Sequence, residues 1–156
     1  MAKMYGVEIK SINKFMGHEG ECIQGTVYYK GKKLGFWSQD SWGGPDRFDF
    51  KESEIDDAVK KYKESLPKDF AFLKFIDAGI FLDEVAQLTE IEKKFKKWSK
   101  DGYHTVIKVS NECCYTLGAC NYEDDEQIDK YVKKLVGKMK NPTITFYKSL
   151  DDFIVK

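Results

Sequence analysis

Apolar residues alternate with polar ones along the first fifty positions, and glycines interrupt this alternation at short intervals. A period of two is the signature of a half-buried β-strand, and Val7, Ile9 and Phe15 are expected to share one face. Glycine accepts the positive φ of tight turns, so the interruptions predict hairpins, including a two-residue turn at Gly31–Lys32. The predicted strands cover residues 4–13, 22–30, 34–40 and 47–50. Residues 1–50 are therefore predicted to form an antiparallel β-meander.

Beyond the meander the apolar period changes from two to 3.6, which indicates helices. The first helix is expected to begin at Ser53, a candidate N-cap. Residues 70–78 predict a short helix that Gly79 stops. A longer helix is predicted to begin at Asp83, and its apolar face contains Val85, Leu88, Ile91, Phe95 and Trp98. Residues 53–101 are therefore predicted to be helical.

The last third of the chain mixes both periods. The predicted elements are a strand at residues 103–110, a pairing segment at 114–117, a helix that begins at Asp124 or Asp125, a strand at 143–147 and an edge segment at 152–155. Residues 103–156 are thus predicted to form a β-α-β (strand-helix-strand) segment. The whole chain, residues 1–156, is predicted to be a single α+β domain.

Charge restricts the classes of function. The 156 residues include 26 basic and 26 acidic side chains, so the chain is neutral, and Arg47 is its only arginine. A neutral chain lacks the electrostatic footprint of a nucleic-acid-binding protein. Lysine also lacks the planar fork with which arginine recognises phosphates and base edges. Direct nucleic-acid binding is therefore not expected.

Hydropathy and the first residues bear on location. The sequence contains no apolar run of about 18 residues, so no membrane span is expected. The N-terminal residues lack the apolar core of a secretory signal. These features predict a cytoplasmic protein whose four cysteines stay reduced.

Cysteine and histidine are the first candidates for chemistry. Candidate zinc ligands are His18, Cys22, Cys113, Cys114 and Cys120. A zinc knuckle of the C-x2-C type is absent, and the favoured interpretation is that the thiols lie inside the core or are neutral thiols at the surface. His104 could act as a base for Cys113 or Cys114 if strand pairing brought them together, but a partly buried structural histidine is favoured. No metal and no cofactor is predicted.

Carboxylates near the predicted strand ends offer a second kind of chemistry. They are Glu19, Asp40, Asp46 and Asp49. Two of them could converge in a metal-dependent hydrolase or nuclease. The favoured alternative is that these side chains accept hydrogen bonds from nearby backbone amides and so form turns.

Aromatic residues and the single arginine fall in or beside the glycine-rich loops. Trp42 stands between Ser41 and Gly43, where few neighbours can bury a large ring. Tryptophan and arginine dominate the binding energy of many protein interfaces. The predicted contact residues are Trp42, Arg47, Trp37 and His18. The alternative, that the Trp42 ring folds back over the meander, stays open.

The glycine punctuation resembles that of small uncharacterised proteins of bacteriophages, prophages and other mobile elements. The resemblance rests on three segments, Asn13-x-Phe15-x-Gly17-x-Glu19-Gly20, Tyr29-x-Gly31-Lys32-Lys33-x-Gly35 and Asp40-x2-Gly43-Gly44. It implies a bacterial host cytoplasm and an accessory role. Small phage proteins of this type often inhibit host proteins, including CRISPR and other defence components.

Three hypotheses for function follow. The first is a non-enzymatic binding protein that modulates or inhibits a host protein, with an anti-CRISPR or other anti-defence factor as the candidate role. The second is a metal-dependent hydrolase or nuclease that uses Asp and His residues of the same loops. The third is a module that sequesters a small ligand such as a nucleotide. The expected partner under the first hypothesis is a host or phage protein.

Overall fold

The computed structural model describes residues 1–112 and 114–156, which form a mixed α+β structure, as predicted. The described strands are β1 (Lys3–Met4), β2 (Val7–Met16), β3 (Glu21–Tyr29), β4 (Lys32–Gln39), β5 (Arg47–Phe48), β6 (Thr105–Ser110), β7 (Tyr115–Cys120), β8 (Thr143–Tyr147) and β9 (Ile154–Val155). The described α-helices are α1 (Asp56–Ser65), α2 (Ala78–Lys100) and α3 (Asp125–Val136).

The described residues divide into two compact units. Unit 1 comprises Met1–Glu90 together with Phe153–Lys156, and unit 2 comprises Ile91–Asp152. The division falls inside α2 and so matches none of the segment borders expected from the sequence. The expectation of a single domain over residues 1–156 stays a prediction.

Unit 1 contains the N-terminal sheet, whose strands follow the order β5-β4-β3-β2-β1-β9. Strands β2 to β5 pair antiparallel with their neighbours in sequence, which confirms the predicted meander. The predicted turn at Gly31–Lys32 is wrong by one residue. Lys30 and Gly31 occupy the turn with φ values of 49° and 82°, because a two-residue hairpin of this type needs positive φ at both central positions.

A β-bulge in β2 changes which residues face the core. Lys10 pairs with Thr26 and Asn13 pairs with Gln24, so two residues of β2 oppose one of β3. Beyond the bulge, Phe15 pairs with Cys22 and lies on the face opposite to Ile9. The expectation that Phe15 shares a face with Val7 and Ile9 is therefore wrong, because the extra residue shifts the alternation by one.

The core of unit 1 is built on one face of this sheet and on the helices of the unit. Ile9 and Val27 are cross-strand partners, as are Gly25 and Trp37. The fully buried side chains of unit 1 include Val7, Ile9, Val27, Trp37, Ile55, Phe81, Leu82, Val85 and Phe153. Burying one such side chain stabilises the fold by about 1.5–3 kcal/mol before entropy is subtracted.

The helical segment of unit 1 begins differently from the prediction. A 3-10 turn over Glu52–Ile55 precedes α1, so Ser53 caps no α-helix. The predicted helix at 70–78 is reduced to a 3-10 turn at Leu73–Phe75. Helix α2 begins at Ala78 and not at Asp83, because Asp77 caps it: its Oδ1 accepts the backbone N–H of Ile80 at 2.9 Å.

Gly79 lies inside α2 and does not stop a helix. A Cβ atom at this position would lie 2.8 Å from Cγ of Asp46, closer than real Cβ contacts allow. The absence of a side chain at Gly79 therefore makes room for the β4–β5 loop against the start of α2.

Unit 2 contains a three-stranded antiparallel sheet in the order β7-β6-β8. Val132 of α3 clusters with Ile107, Val109 and Cys120 of the sheet. The predicted helix start is confirmed, since the Asp124 side chain caps α3 by accepting the backbone N–H of Glu126 at 3.1 Å. The predicted strand at residues 143–147 coincides with β8, and β7 is two residues longer than the four predicted to pair there.

Candidate binding surface

The β2–β3 turn and the β4–β5 loop meet at one end of the N-terminal sheet. Gly17 closes the turn by donating its N–H to the carbonyl oxygen of Gly20 at 2.7 Å. A Cβ atom on Gly17 would lie 3.2 Å from Cβ of Ser41 and 2.9 Å from Sγ of Cys22. The two loops are therefore in close contact, and a side chain at Gly17 would push them apart.

Exposed side chains surround this contact, and we call them the tip surface. Met16, Trp42 and Phe15 have 79%, 64% and 48% of their area exposed. His18 and Arg47 are exposed beside them. The tip surface thus comprises Phe15, Met16, His18, Trp42 and Arg47, and it combines apolar area with two basic side chains.

Three of the four predicted contact residues belong to the tip surface. His18 lies in the β2–β3 turn, Trp42 in the β4–β5 loop and Arg47 in β5. Sequence reasoning missed Phe15 and Met16, because apolar residues in a strand are usually core residues. The bulge in β2, which carries Ser11 at a φ of 54°, is not visible in the alternation of residue types.

Trp37 is the exception among the predicted contact residues, and this part of the prediction is corrected. Its side chain is fully buried, on the same face as the core of the sheet. Its ring Nε1 donates a 2.7 Å hydrogen bond to Oδ2 of Asp46, whose Oδ1 accepts from Nε2 of Gln39 at 3.3 Å. A buried indole needs such an acceptor, so Trp37 and Asp46 fasten the β4–β5 loop to the core.

Asp40 organises the exposed part of the same loop. Its Oδ1 accepts the backbone N–H of Trp42 at 3.1 Å, which fixes the backbone while the indole ring stays exposed. Its Oδ2 lies 3.9 Å from a guanidinium nitrogen of Arg47, whose side chain is 80% exposed. An ion pair with so long a distance and so exposed a side chain adds little stability. The guanidinium of Arg47 therefore stays accessible to a partner.

The turn-forming interpretation of the loop carboxylates is confirmed for Asp40, which accepts the backbone N–H two residues further on, whereas Asp46 accepts from side chains and not from a backbone amide. Asp40 and Asp46 accept the hydrogen bonds described above, and Asp49 accepts the backbone N–H of Phe36. Within residues 1–112 and 114–156, no group of three or more His, Cys, Asp or Glu side chains is arranged to hold a metal ion.

Lys14 connects the base of the tip surface to α2. Its Nζ lies 3.1 Å from a carboxylate oxygen of Glu21 and 2.8 Å from one of Glu90. Burial opposes the charged form of Lys14, but hydrogen bonds and charge attraction to Glu90 and Glu21 outweigh it and raise the pKa of Lys14. Burial also raises the pKa of nearby Asp83. The positive charge of Lys14 opposes this rise, and the negative charges of Asp46, Glu90 and Glu21 add to it.

The three described cysteines, Cys22, Cys114 and Cys120, do not form the sites that the sequence left open. Cys120 pairs with Thr105 at one end of the β6–β7 hairpin, and Cys114 lies beyond the other end. Six residues of strand separate Cys114 from Cys120 by about 20 Å, too far to share one zinc ion. His104 is also at the Cys120 end, where its N–H donates to the carbonyl of Cys120, so it is not a base for Cys114. Cys113 lies outside the described residues.

None of the helices in the described part of the chain is long and apolar enough to cross a membrane. The chain matches no protein family, no curated protein and no solved structure.

Proposed function

We propose that this chain is a non-enzymatic binding protein that engages another protein through the tip surface. The observation that carries the proposal is the 64% exposure of the Trp42 ring on a loop whose backbone is fixed by Asp40 and Asp46. A rigid loop loses little conformational entropy when its exposed indole enters a partner pocket. Tryptophan and arginine are also the residue types most enriched at binding hot spots.

The neighbouring side chains support the same role. Met16 and Phe15 add exposed apolar area at the end of β2, on opposite faces of the strand, and methionine adapts its shape to irregular surfaces. Arg47 gives the rim of the surface a positive charge, and both Arg47 and His18 carry N–H donors for partner carboxylates. An apolar centre with a polar rim is the usual anatomy of a protein–protein interface.

The use of the loop carboxylates favours binding over the alternative of a metal-dependent hydrolase or nuclease. Asp40, Asp46 and Asp49 each accept hydrogen bonds that build the loops. A carboxylate in such a role is less available as a metal ligand or a general base.

The class of partner is proposed from the sequence alone. The glycine pattern similar to that of phage and mobile-element proteins makes a protein of a bacterial host the expected partner, with CRISPR and other defence components among the candidates. The resulting activity would be inhibition or modulation by occupancy of a surface on that host protein.

Affinity capture from a bacterial lysate, followed by mass spectrometry, tests the proposal. We expect a prey protein that the double variant Trp42→Ala/Arg47→Ala loses and that Met16→Ala captures less well. Matched controls are Lys33→Ala, which removes an exposed cation from the far end of β4, and Phe146→Ala, which removes a 40% exposed ring in unit 2. Equal capture by the double variant and the controls would show that the tip surface is not the binding site.

A further inference from the structure

A groove beside α3 in unit 2 is separate from the tip surface. It is lined by Tyr122, Gln127, Lys130, Tyr131 and Lys134 and encloses about 370 Å³. This volume falls within the range of small-molecule sites, about 300–1,000 Å³.

The helical period explains why these side chains converge. Residues 127, 130, 131 and 134 are spaced by three or four positions and therefore form one stripe along α3. Tyr122 comes from the segment before the helix, and its ring centroid lies 6.0 Å from that of Tyr131 in an edge-to-face arrangement. One wall of the groove is thus aromatic, and the stripe supplies the amide of Gln127 and two ammonium groups.

The two rings have different roles. A Cβ atom on Gly118 would lie 2.6 Å from the hydroxyl oxygen of Tyr131. The Tyr131 ring is therefore packed over the sheet. Burial raises the pKa of the Tyr131 hydroxyl, which keeps the ring neutral. Tyr122 is 42% exposed and therefore presents ring area to the groove. An exposed ring of this kind can stack on a planar ligand.

The two lysines also differ. Lys130 lies 2.8 Å from a carboxylate oxygen of Glu126, which neutralises part of its charge. Lys134 forms no ion pair within the two described ranges. Side chains at positions i and i+4 lie about 6 Å apart at Cβ, so both ammonium groups can reach the same phosphate. Lys134 is the uncommitted cation, and Glu126 is the acidic neighbour that an anionic ligand must displace from Lys130.

We infer that this groove binds a nucleoside phosphate. The base would stack on Tyr122, the amide of Gln127 would donate to and accept from the base edge, and Lys134 with Lys130 would hold the phosphates. Each part of this ligand class matches one part of the groove: a planar ring for the aromatic wall, hydrogen-bonding edges for the amide and negative charge for the lysines.

Isothermal titration calorimetry of the full chain with ATP tests this inference, with adenosine and inorganic phosphate as separate ligands. We expect ATP to bind more tightly than either. Lys134→Ala should weaken ATP binding by about tenfold, the effect expected for loss of one charged contact. Lys133→Ala, an exposed lysine on the same turn that does not line the groove, is the matched control and should bind ATP as the parent chain does.

Two further variants separate a ligand contact from a structural effect. Tyr122→Phe should keep ATP binding because the ring remains, and Tyr122→Ala should weaken it. Glu126→Gln should tighten ATP binding because it frees Lys130, an improvement that a merely structural role of the helix would not produce. The inference is overturned if ATP does not bind at millimolar concentration, if Lys134→Ala and Lys133→Ala behave alike, or if inorganic phosphate binds as tightly as ATP.

Discussion

The core of unit 1 and the cluster beneath α3 in unit 2 are built from different kinds of side chain. Unit 1 buries large rings completely, and one of them, Trp37, also makes a specific hydrogen bond to Asp46. The cluster beneath α3 in unit 2 uses medium-sized residues such as Ile107, Val109 and Val132. Loss of a large hydrogen-bonded ring therefore removes more packing at a single position than loss of one aliphatic side chain.

The largest effect is expected from Trp37→Ala. Removal of a fully buried ring leaves a cavity and an unpaired Asp46, so the free energy of unfolding should fall by about 3–5 kcal/mol. Urea denaturation followed by circular dichroism measures this change. Trp42→Ala is the control in the same region and should change it by about 0.5 kcal/mol or less. A loss with Trp42→Ala as large as with Trp37→Ala would contradict the contrast between the buried and the exposed ring.

A smaller effect is expected from Gly118→Ala in unit 2. The new Cβ would lie 2.6 Å from the Tyr131 hydroxyl and 2.7 Å from Cδ1 of Leu135, so α3 must shift away from the sheet. We expect a loss of about 1–3 kcal/mol, measured by the same denaturation.

Gly44→Ala is the matched control for this substitution. A Cβ at Gly44 would meet only Oδ1 of Asp40 at 3.9 Å, an ordinary contact, so the expected change is about 0.5 kcal/mol or less. Equal stability of Gly118→Ala and the parent chain would show that the cluster beneath α3 is not tightly packed.

Lowering the pH should change the stability contributed by two aspartates, one in each unit, in opposite directions. Burial raises the pKa of Asp83 in unit 1. The contribution of Asp83 to stability is therefore fully present below the unfolded pKa of about 3.8. It is lost as the pH rises through the folded pKa. Hydrogen bonds from the backbone N–H groups of Lys148 and Ser149 lower the pKa of Asp152 in unit 2. Its contribution is present above the unfolded pKa and is lost as the pH falls through the folded pKa.

Urea denaturation of two variants between about pH 7 and pH 3 measures these signs. Asp83→Asn should be more stable than the parent chain at neutral pH, and the advantage should shrink in acid. Asp152→Asn should be less stable at neutral pH, and the deficit should shrink in acid. If the stability of both variants relative to the parent chain changed in the same direction with pH, the causes given for the two pKa shifts would be contradicted.

The smallest effect on stability, and the clearest spectroscopic one, is expected from Trp42→Phe. Iodide should quench the fluorescence of the exposed Trp42 and leave that of the buried Trp37 unquenched, with half-buried Trp98 between them. The variant should therefore lose most of the accessible fraction in a quenching titration. An unchanged accessible fraction would mean that the Trp42 ring is covered in solution.

Local sequence signals predicted the elements that depend on residues close together in the chain. The N-cap Asp124, the 3.6 period of α3 and the strand at 143–147 were all predicted, because each depends on neighbouring residues in the chain. The meander was predicted for the same reason. Within the meander, the turn register at Lys30–Gly31 and the face of Phe15 differed from the prediction.

Tertiary contacts decided the elements that local signals misassigned. Gly79 resembled a helix stop, but its role is to leave space for Asp46 at the start of α2. The bulge in β2 moved Phe15 out of the core face and onto the tip surface. The space at Gly79 could not be predicted because Asp46, which fills it, is distant in sequence, and the alternation of residue types does not mark the bulge.

The amino-acid sequence by itself determined the alternation, the turns and the helical stripes, and hence an α+β chain. It did not determine which of Trp37 and Trp42 faces the core. Both rings are equally apolar, and the choice follows from the register of β4 on β3 and from the position of Asp46, which the folded structure alone establishes. The candidate binding surface therefore depends on strand register and on one buried hydrogen bond, because these decide which aromatic ring stays in water.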